Sequence, residues 1–158
     1  MKEIKTIEFK EDILYLIDQR KLPISYQIFQ CRTYKDVDFA IKDMVVRGAP
    51  AIGAAAAYGV VLAAKEFKEE FLFNMNEALE LLNKSRPTAV NLMWAIKRMK
   101  KLIAENKDLA VKDIYKKIKK EADLILIEDI QTNKKMGQIG NEIVGNKSTI
   151  LTHCNTGA

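Results

Sequence analysis

The sequence predicts an α+β fold that is mainly helical. It opens with a β-hairpin unit, continues as a helical bundle, and ends on the first strand of a new α/β unit. Three observations lead there. Apolar residues alternate near the N-terminus, they switch to helical spacing from about residue 35, and a β-rich run at Ser148-Thr149-Ile150-Leu151-Thr152-His153 leads into Cys154-Asn155-Thr156-Gly157.

Residues 4–9 and 13–18 read as two strands, carrying Ile4, Ile7 and Phe9, then Ile13 to Ile17. The polar Lys10-Glu11-Asp12 between them makes a hairpin. Leu22-Pro23 closes this unit, because proline disfavours helix before it and donates no ladder bond. Residues 24–30 supply a third short strand. Val37, Ala40, Ile41, Met44 and Val45 then recur at helical spacing.

A second helix is expected to begin at Pro50, a residue favoured at the first helical position. Its run from Ala49 to Ala64 is rich in Ala and Gly, which suits a tightly packed core helix. A third helix covers roughly 66–83. A fourth starts near Pro87 or Thr88 and carries Val90, Trp94, Ile96 and Met99. A fifth follows Asp108 as N-cap, with an apolar stripe of Val111, Ile114, Tyr115, Ile118, Ala122 and Ile125 that extends through Ile130 to Ile143. Gly145-Asn146 breaks it before a strand at 148–152. The boundary between the two parts falls at Gly145–Lys147, giving a first domain over 1–146 and the start of a second over 147–158. The loop after such a strand is where α/β sheets collect ligands, and the helix expected after it is absent, so the chain reads as the front part of a longer protein.

The chain has 158 residues, 48% of them hydrophobic and 30% charged, as in soluble globular proteins. The net charge of +5 suits an anionic small molecule or nucleic acid. The lysines at 97–101 and 112–120 have acidic neighbours and read as solvated helix faces, with no aromatic residues interleaved to stack bases. Two cysteines, Cys31 and Cys154, make no disulfide framework. The N-terminus lacks a signal-peptide pattern and no apolar run spans a bilayer, so a cytoplasmic protein without membrane or nucleic-acid partners is expected.

Two segments share one design. Arg47-Gly48-Ala49-Pro50 and Ser85-Arg86-Pro87-Thr88 each place an arginine just ahead of a helix N-terminus. Such an end offers free N–H groups and partial positive charge, and arginine adds a planar fork suited to phosphate. If the two helices meet, both arginines could grip one phosphorylated ligand; otherwise each is an ordinary surface or salt-bridged residue. Cys154, at a strand end before a helix start, is either a nucleophile or acid/base, or an inert loop residue. Cys31 reads as packing, and His153, the single histidine, as a hydrogen-bonded structural residue. One histidine and two distant cysteines argue against a structural zinc, and no metal is expected. Gly137-Gln138-Ile139-Gly140 lacks the ending of a phosphate loop and suggests close helix packing. Asp18-Gln19-Arg20 is polar after an apolar strand, with no role assignable from its chemistry.

Four segments together carry a resemblance: Ile17-Asp18-Gln19-Arg20-Lys21-Leu22-Pro23, Arg47-Gly48-Ala49-Pro50-Ala51-Ile52-Gly53, Ser85-Arg86-Pro87-Thr88-Ala89-Val90-Asn91 and Thr152-His153-Cys154-Asn155-Thr156-Gly157-Ala158. In this order they resemble the initiation-factor-2B-like alpha/beta/delta family, and within it the S-methyl-5-thioribose-1-phosphate isomerases of methionine salvage. The family also holds ribose-1,5-bisphosphate isomerases and non-catalytic regulatory subunits of a translation-initiation exchange factor. The resemblance implies conversion of 5-methylthioribose 1-phosphate to 5-methylthioribulose 1-phosphate, without cofactor, in a homodimer. It implies that Arg47, Gly48, Ala49 and Arg86 contact the substrate, chiefly its phosphate, and that Cys154 is catalytic. It also implies a C-terminal Rossmann-like domain that carries an aspartate and a Lys-Asn pair of the site. The chain by itself is therefore expected to be inactive, and direct assay of it tests this.

Overall fold

The computed structural model of the chain describes residues 5–153. Strand β1 (Ile7–Lys10) pairs antiparallel with β2 (Ile13–Ile17), which pairs antiparallel with β3 (Ile28–Cys31). Lys10 lies opposite Ile13, so the hairpin loop is the pair Glu11-Asp12, both left-handed at φ 52° and 56°. Two left-handed residues make a turn whose twist matches that of the flanking strands. One face of the sheet buries Ile7, Leu14, Leu16 and Cys31. Burial pushes the Cys31 thiol up to about 12, so it is an inert packing residue. The third strand starts later than expected, since Ile24 and Tyr26 are exposed and the chain turns at Ser25, whose N–H donates to the Lys21 carbonyl.

Five helices follow: α1 (Tyr34–Lys42), α2 (Ala49–Glu66), α3 (Phe71–Asn83), α4 (Val90–Glu105) and α5 (Val111–Ile143). Helix α2 is the hub, and each of the other four packs on it. Its alanines and glycines permit that crowding: a Cβ on Gly59 would stand 3.1 Å from Leu82 and from Val37. The sheet rests on α1 and α2 as well, with Phe9 stacked on Tyr58 at 4.8 Å. Tyr58 Oη donates to Asp123 at 3.0 Å and Tyr115 Oη to Asp12 at 2.5 Å, which tie α5 to α2 and to the hairpin turn. Arg98 bridges α4 to α5, donating from Nε to Glu121 at 2.5 Å and from Nη1 to Glu128 at 2.6 Å. Among the described residues no helix is long and apolar enough to cross a membrane.

Several sequence expectations need correction. Pro87 and Thr88 form a turn closed by the Ala89 N–H on the Arg86 carbonyl, so α4 starts at Val90. Asp108 does not cap α5, because Leu109 N–H bonds the Asn106 carbonyl in a turn that follows α4 and the cap falls on Ala110. Residues 148–152 form no strand: no described strand lies beside them to complete a ladder, and Ile150 and Leu151 are exposed. His153 is likewise exposed, with no hydrogen-bond partner among the described residues, where a bonded structural residue was expected. Gly137 and Gly140 mark no close packing, since a Cβ on either meets nothing within 4 Å among the described residues.

Candidate functional site

The two arginine segments lie where α2 and α4 begin. Gly48 caps α2 at φ 92°, a conformation that a side chain resists. Its lack of a side chain leaves the first N–H groups of α2 without a side-chain cap, and Pro50 has no N–H to satisfy. Helix α4, with Ala89 at its N-cap, starts in the same uncapped way. Neither first turn holds an acidic residue. Helix α1 shows the contrast: Thr33 and Asp36 form a reciprocal capping box there, with bonds of 3.2 and 2.8 Å. Partial positive charge therefore stands uncompensated at the starts of α2 and α4.

The two starts also touch. A Cβ on Gly53, one turn into α2, would lie 2.9 Å from the carbonyl oxygen of Asn91 in the first turn of α4. Only glycine allows this approach without displacement. The condition set by the sequence reading, that the two helices meet, is thus satisfied at their N-terminal ends.

The chain has five arginines. Arg20 is paired with Asp18 and Asp43, Arg32 donates to Gln30, and Arg98 is clamped by Glu121 and Glu128. Arg47 and Arg86 are the two whose guanidinium groups have no hydrogen-bond or ion-pair partner among the described residues. Arg47 is exposed and Arg86 half-buried. They are therefore not salt-bridged residues near caps. Two uncommitted planar cations beside two uncompensated helix starts make a surface fitted to an anion. Gly48 is partly and Ala49 largely exposed at the same place. Cys154 lies outside the described residues.

Sequence reading missed the groups that hold these segments. Ser85 and Asp18 are the buried polar side chains of the described chain. Ser85 Oγ donates to Asp38 Oδ1 of α1 at 2.6 Å. Asp18 accepts from Arg20 Nε at 2.8 Å and from Nη2 at 2.7 Å, and Arg20 reaches on to Asp43, the residue that ends α1. The Arg20 guanidinium, above all, holds the Asp18 carboxyl below the usual carboxylate range despite burial. The polar Asp-Gln-Arg after an apolar strand was the available signal; nothing in the sequence pairs Ser85 with Asp38, 47 positions away.

The model of the Initiation factor 2 subunit family matches residues 45–158. The chain is 68% identical to methylthioribose-1-phosphate isomerase of Thermoanaerobacter sp. (strain X514), over all of this chain and 47% of that protein. It is 46% identical to the enzyme of the same name from Thermotoga petrophila, over 98% of this chain and 45% of that one. The crystal structure of 5-methylthioribose 1-phosphate isomerase from Pyrococcus horikoshii OT3 superposes with a TM-score of 0.87 at 43% identity, covering 90% of this chain and 41% of that one. Translation initiation factor eIF-2B subunit delta from A. fulgidus superposes at 0.84 with 36% identity, covering 98% and 46%. The chain spans about half the length of the curated relatives it matches.

Proposed function

The chain belongs to the Initiation factor 2 subunit family, and on that footing we propose that it supplies the phosphate-gripping part of an aldose–ketose isomerase acting on 5-methylthioribose 1-phosphate. The observation that carries the reading is that Arg47 and Arg86, alone among the arginines, have no partner among the described residues and lie beside two helix starts in contact. The names of the relatives supply the substrate.

In this substrate the phosphate sits on the anomeric carbon, so isomerisation must keep the C1–O–P linkage while the ring bond to C1 breaks. The hydrogen on C2 moves to C1, the C2 hydroxyl becomes the carbonyl, and its proton ends on the former ring oxygen. No atom is gained or lost. Two arginines and two helix ends bind the phosphate dianion through several charge-assisted bonds and fix C1 against its neighbours. Arg47, Gly48, Ala49 and Arg86 are the proposed phosphate contacts, and Cys154 the proposed acid/base.

The same reading takes residues 1–146 as a first domain and 147–158 as the start of a Rossmann-like second one. It includes a homodimer in the cytoplasm, with no nucleic acid or membrane as partner. Support for the absence of nucleic acid lies in the lysines, several of which pair with carboxylates a helical turn away, as in Lys119–Asp123 and Lys101–Glu105.

A phosphorus NMR time course on the gene's complete product with 5-methylthioribose 1-phosphate tests the reading. The anomeric phosphate signal is expected to give way to that of a primary ketose phosphate. No change in a folded protein would overturn it. Turnover of ribose 1,5-bisphosphate instead would move the assignment to that substrate. The likeness to an initiation-factor subunit favours a second, non-catalytic reading, which inertness toward both sugars would support.

A further inference from the structure

We propose that helix α1 is the spacer that sets the separation of the two anion-binding arginines, with Ser85 and Arg20 as positioning residues; this rests on the phosphate-site reading of Arg47 and Arg86. Each arginine follows a tether to α1, one at the middle of the helix and one at its C-terminal end. On one side, Ser85 immediately precedes Arg86, and its hydroxyl is bonded to Asp38 within α1 at 2.6 Å. On the other, Arg20 bonds Asp43 at the end of α1, and the Gln19 N–H donates to the Val45 carbonyl at 3.0 Å. Val45 and Val46 are buried, and the Val46 N–H reaches back to the Ala40 carbonyl at 3.3 Å. The chain is thus pinned from Asp43 through Val46, and Arg47 is the first residue released from it.

The chemistry of these tethers fits positioning better than stabilisation. Buried polar side chains cost free energy unless they are bonded, and an apolar core is the ordinary alternative. Asp18 and Ser85 are 5% and 6% exposed, the two polar groups enclosed in an otherwise apolar described core. Deleting the Ser85 hydroxyl leaves no orphaned charge, because Asp38 Oδ2 keeps its ion pair with Lys42 at 2.8 Å. What that deletion removes is the side-chain bond that fixes the peptide leading into Arg86. Arg20 acts with a planar fork: Nε and Nη2 both grip Asp18, while Nη1 is left for Asp43. A bidentate grip fixes direction as well as distance, so the end of α1 is held against the end of β2.

Calorimetric binding of inorganic phosphate to the complete gene product, with thermal midpoints and with KM and kcat on 5-methylthioribose 1-phosphate, tests this. Ser85→Ala and Arg20→Gln are expected to raise the Kd for phosphate and the KM about tenfold, the scale of one lost hydrogen bond to a charged group, with kcat within about twofold. Asp38→Asn keeps an acceptor for Ser85 and should bind within about threefold of wild type. Arg20→Lys, which retains charge but lacks the fork, stands in where Arg20→Gln does not fold and should show the same KM-selective loss. Lowered midpoints with unchanged phosphate affinity would mark a structural role and overturn the proposal. If Arg47→Ala and Arg86→Ala lose phosphate while Ser85→Ala and Arg20→Gln bind as wild type, positioning alone fails. If Arg47→Ala and Arg86→Ala also bind as wild type, the phosphate site itself is wrong.

Discussion

Helix α2 and the far half of α5 are both rich in apolar residues, yet they live in opposite surroundings. Thirteen of the 18 residues of α2 are buried, a continuous run from Ile52 to Ala64. In α5 burial stops at Ile125, and Ile143 near its end is 81% exposed. Each helix carries two glycines. In α2, Gly53 and Gly59 are places where other elements come within contact distance, whereas Gly137 and Gly140 of α5 have nothing near them among the described residues. The difference teaches that composition does not decide what a glycine does. In α2 the small residues let four helices converge and bring two helix starts together; in distal α5 they only lower the intrinsic helix preference.

The largest effect belongs to the crowded side. Leu82 is fully buried and its methyl groups lie against Gly59. Leu82→Ala should cost about 2–5 kcal/mol, since the close-packed α2 cannot move in to fill the space. Urea denaturation measures it, and a cost under about 1 kcal/mol would show that the α2–α3 contact is loose.

Next comes Gly53→Ala. The added Cβ would stand 2.9 Å from a backbone oxygen of α4, which cannot rotate away as a side chain would. Despite alanine's better helix preference, the protein should lose about 1–3 kcal/mol. Because the same contact joins the starts of α2 and α4, phosphate affinity should fall with stability. Stability loss with unaltered phosphate binding would break the link between the crossing and the site.

Third is acid sensitivity on the buried side. Asp18 has its folded pKa held below 3.8, chiefly by the Arg20 hydrogen bond. A depressed acid stabilises the fold fully above its unfolded value of about 3.9, and that contribution disappears as pH falls through the folded value. Asp18→Asn should therefore cost about 1–2 kcal/mol at pH 7 and lose less than wild type below about pH 4. Parallel acid unfolding curves for the two proteins would contradict the assignment.

The same comparison explains what could be read from the sequence. The hairpin was legible because Lys10-Glu11-Asp12 breaks an alternation, and the buried stripe of α5 because Ile114, Ile118, Ala122 and Ile125 keep helical spacing. Arg47 and Arg86 were legible as candidates because each lies close to a proline, a residue type favoured near helix starts. That both lack partners among the described residues was not, since pairing depends on which carboxylates the fold brings near. Helix starts were misplaced at Asp108 and Pro87 because local turns consumed those residues first. The role of Asp18-Gln19-Arg20 needed Asp43, which becomes its neighbour only after α1 folds back on the sheet. The run at 148–152 has strand-like residues, but a strand is a property of two segments, and its residues alone could not show the missing neighbour.

The smallest effect lies on the open side and has the opposite sign. Gly137 sits within α5, is exposed, and has nothing near its missing Cβ among the described residues. Gly137→Ala should stabilise the helix locally by up to about 1 kcal/mol, because alanine loses less backbone entropy on becoming helical. The gain should show as slower amide hydrogen exchange in the last three turns of α5, with little change in the core around α2, since that stretch can fray without opening the buried face. The same residue type substituted in the same way would then stabilise one helix and damage the other at Gly53. If Gly137→Ala instead weakens the complete gene product, the distal face of α5 is packed against something there, and its apolar residues Met136, Ile139 and Ile143 would be interior residues like those of α2.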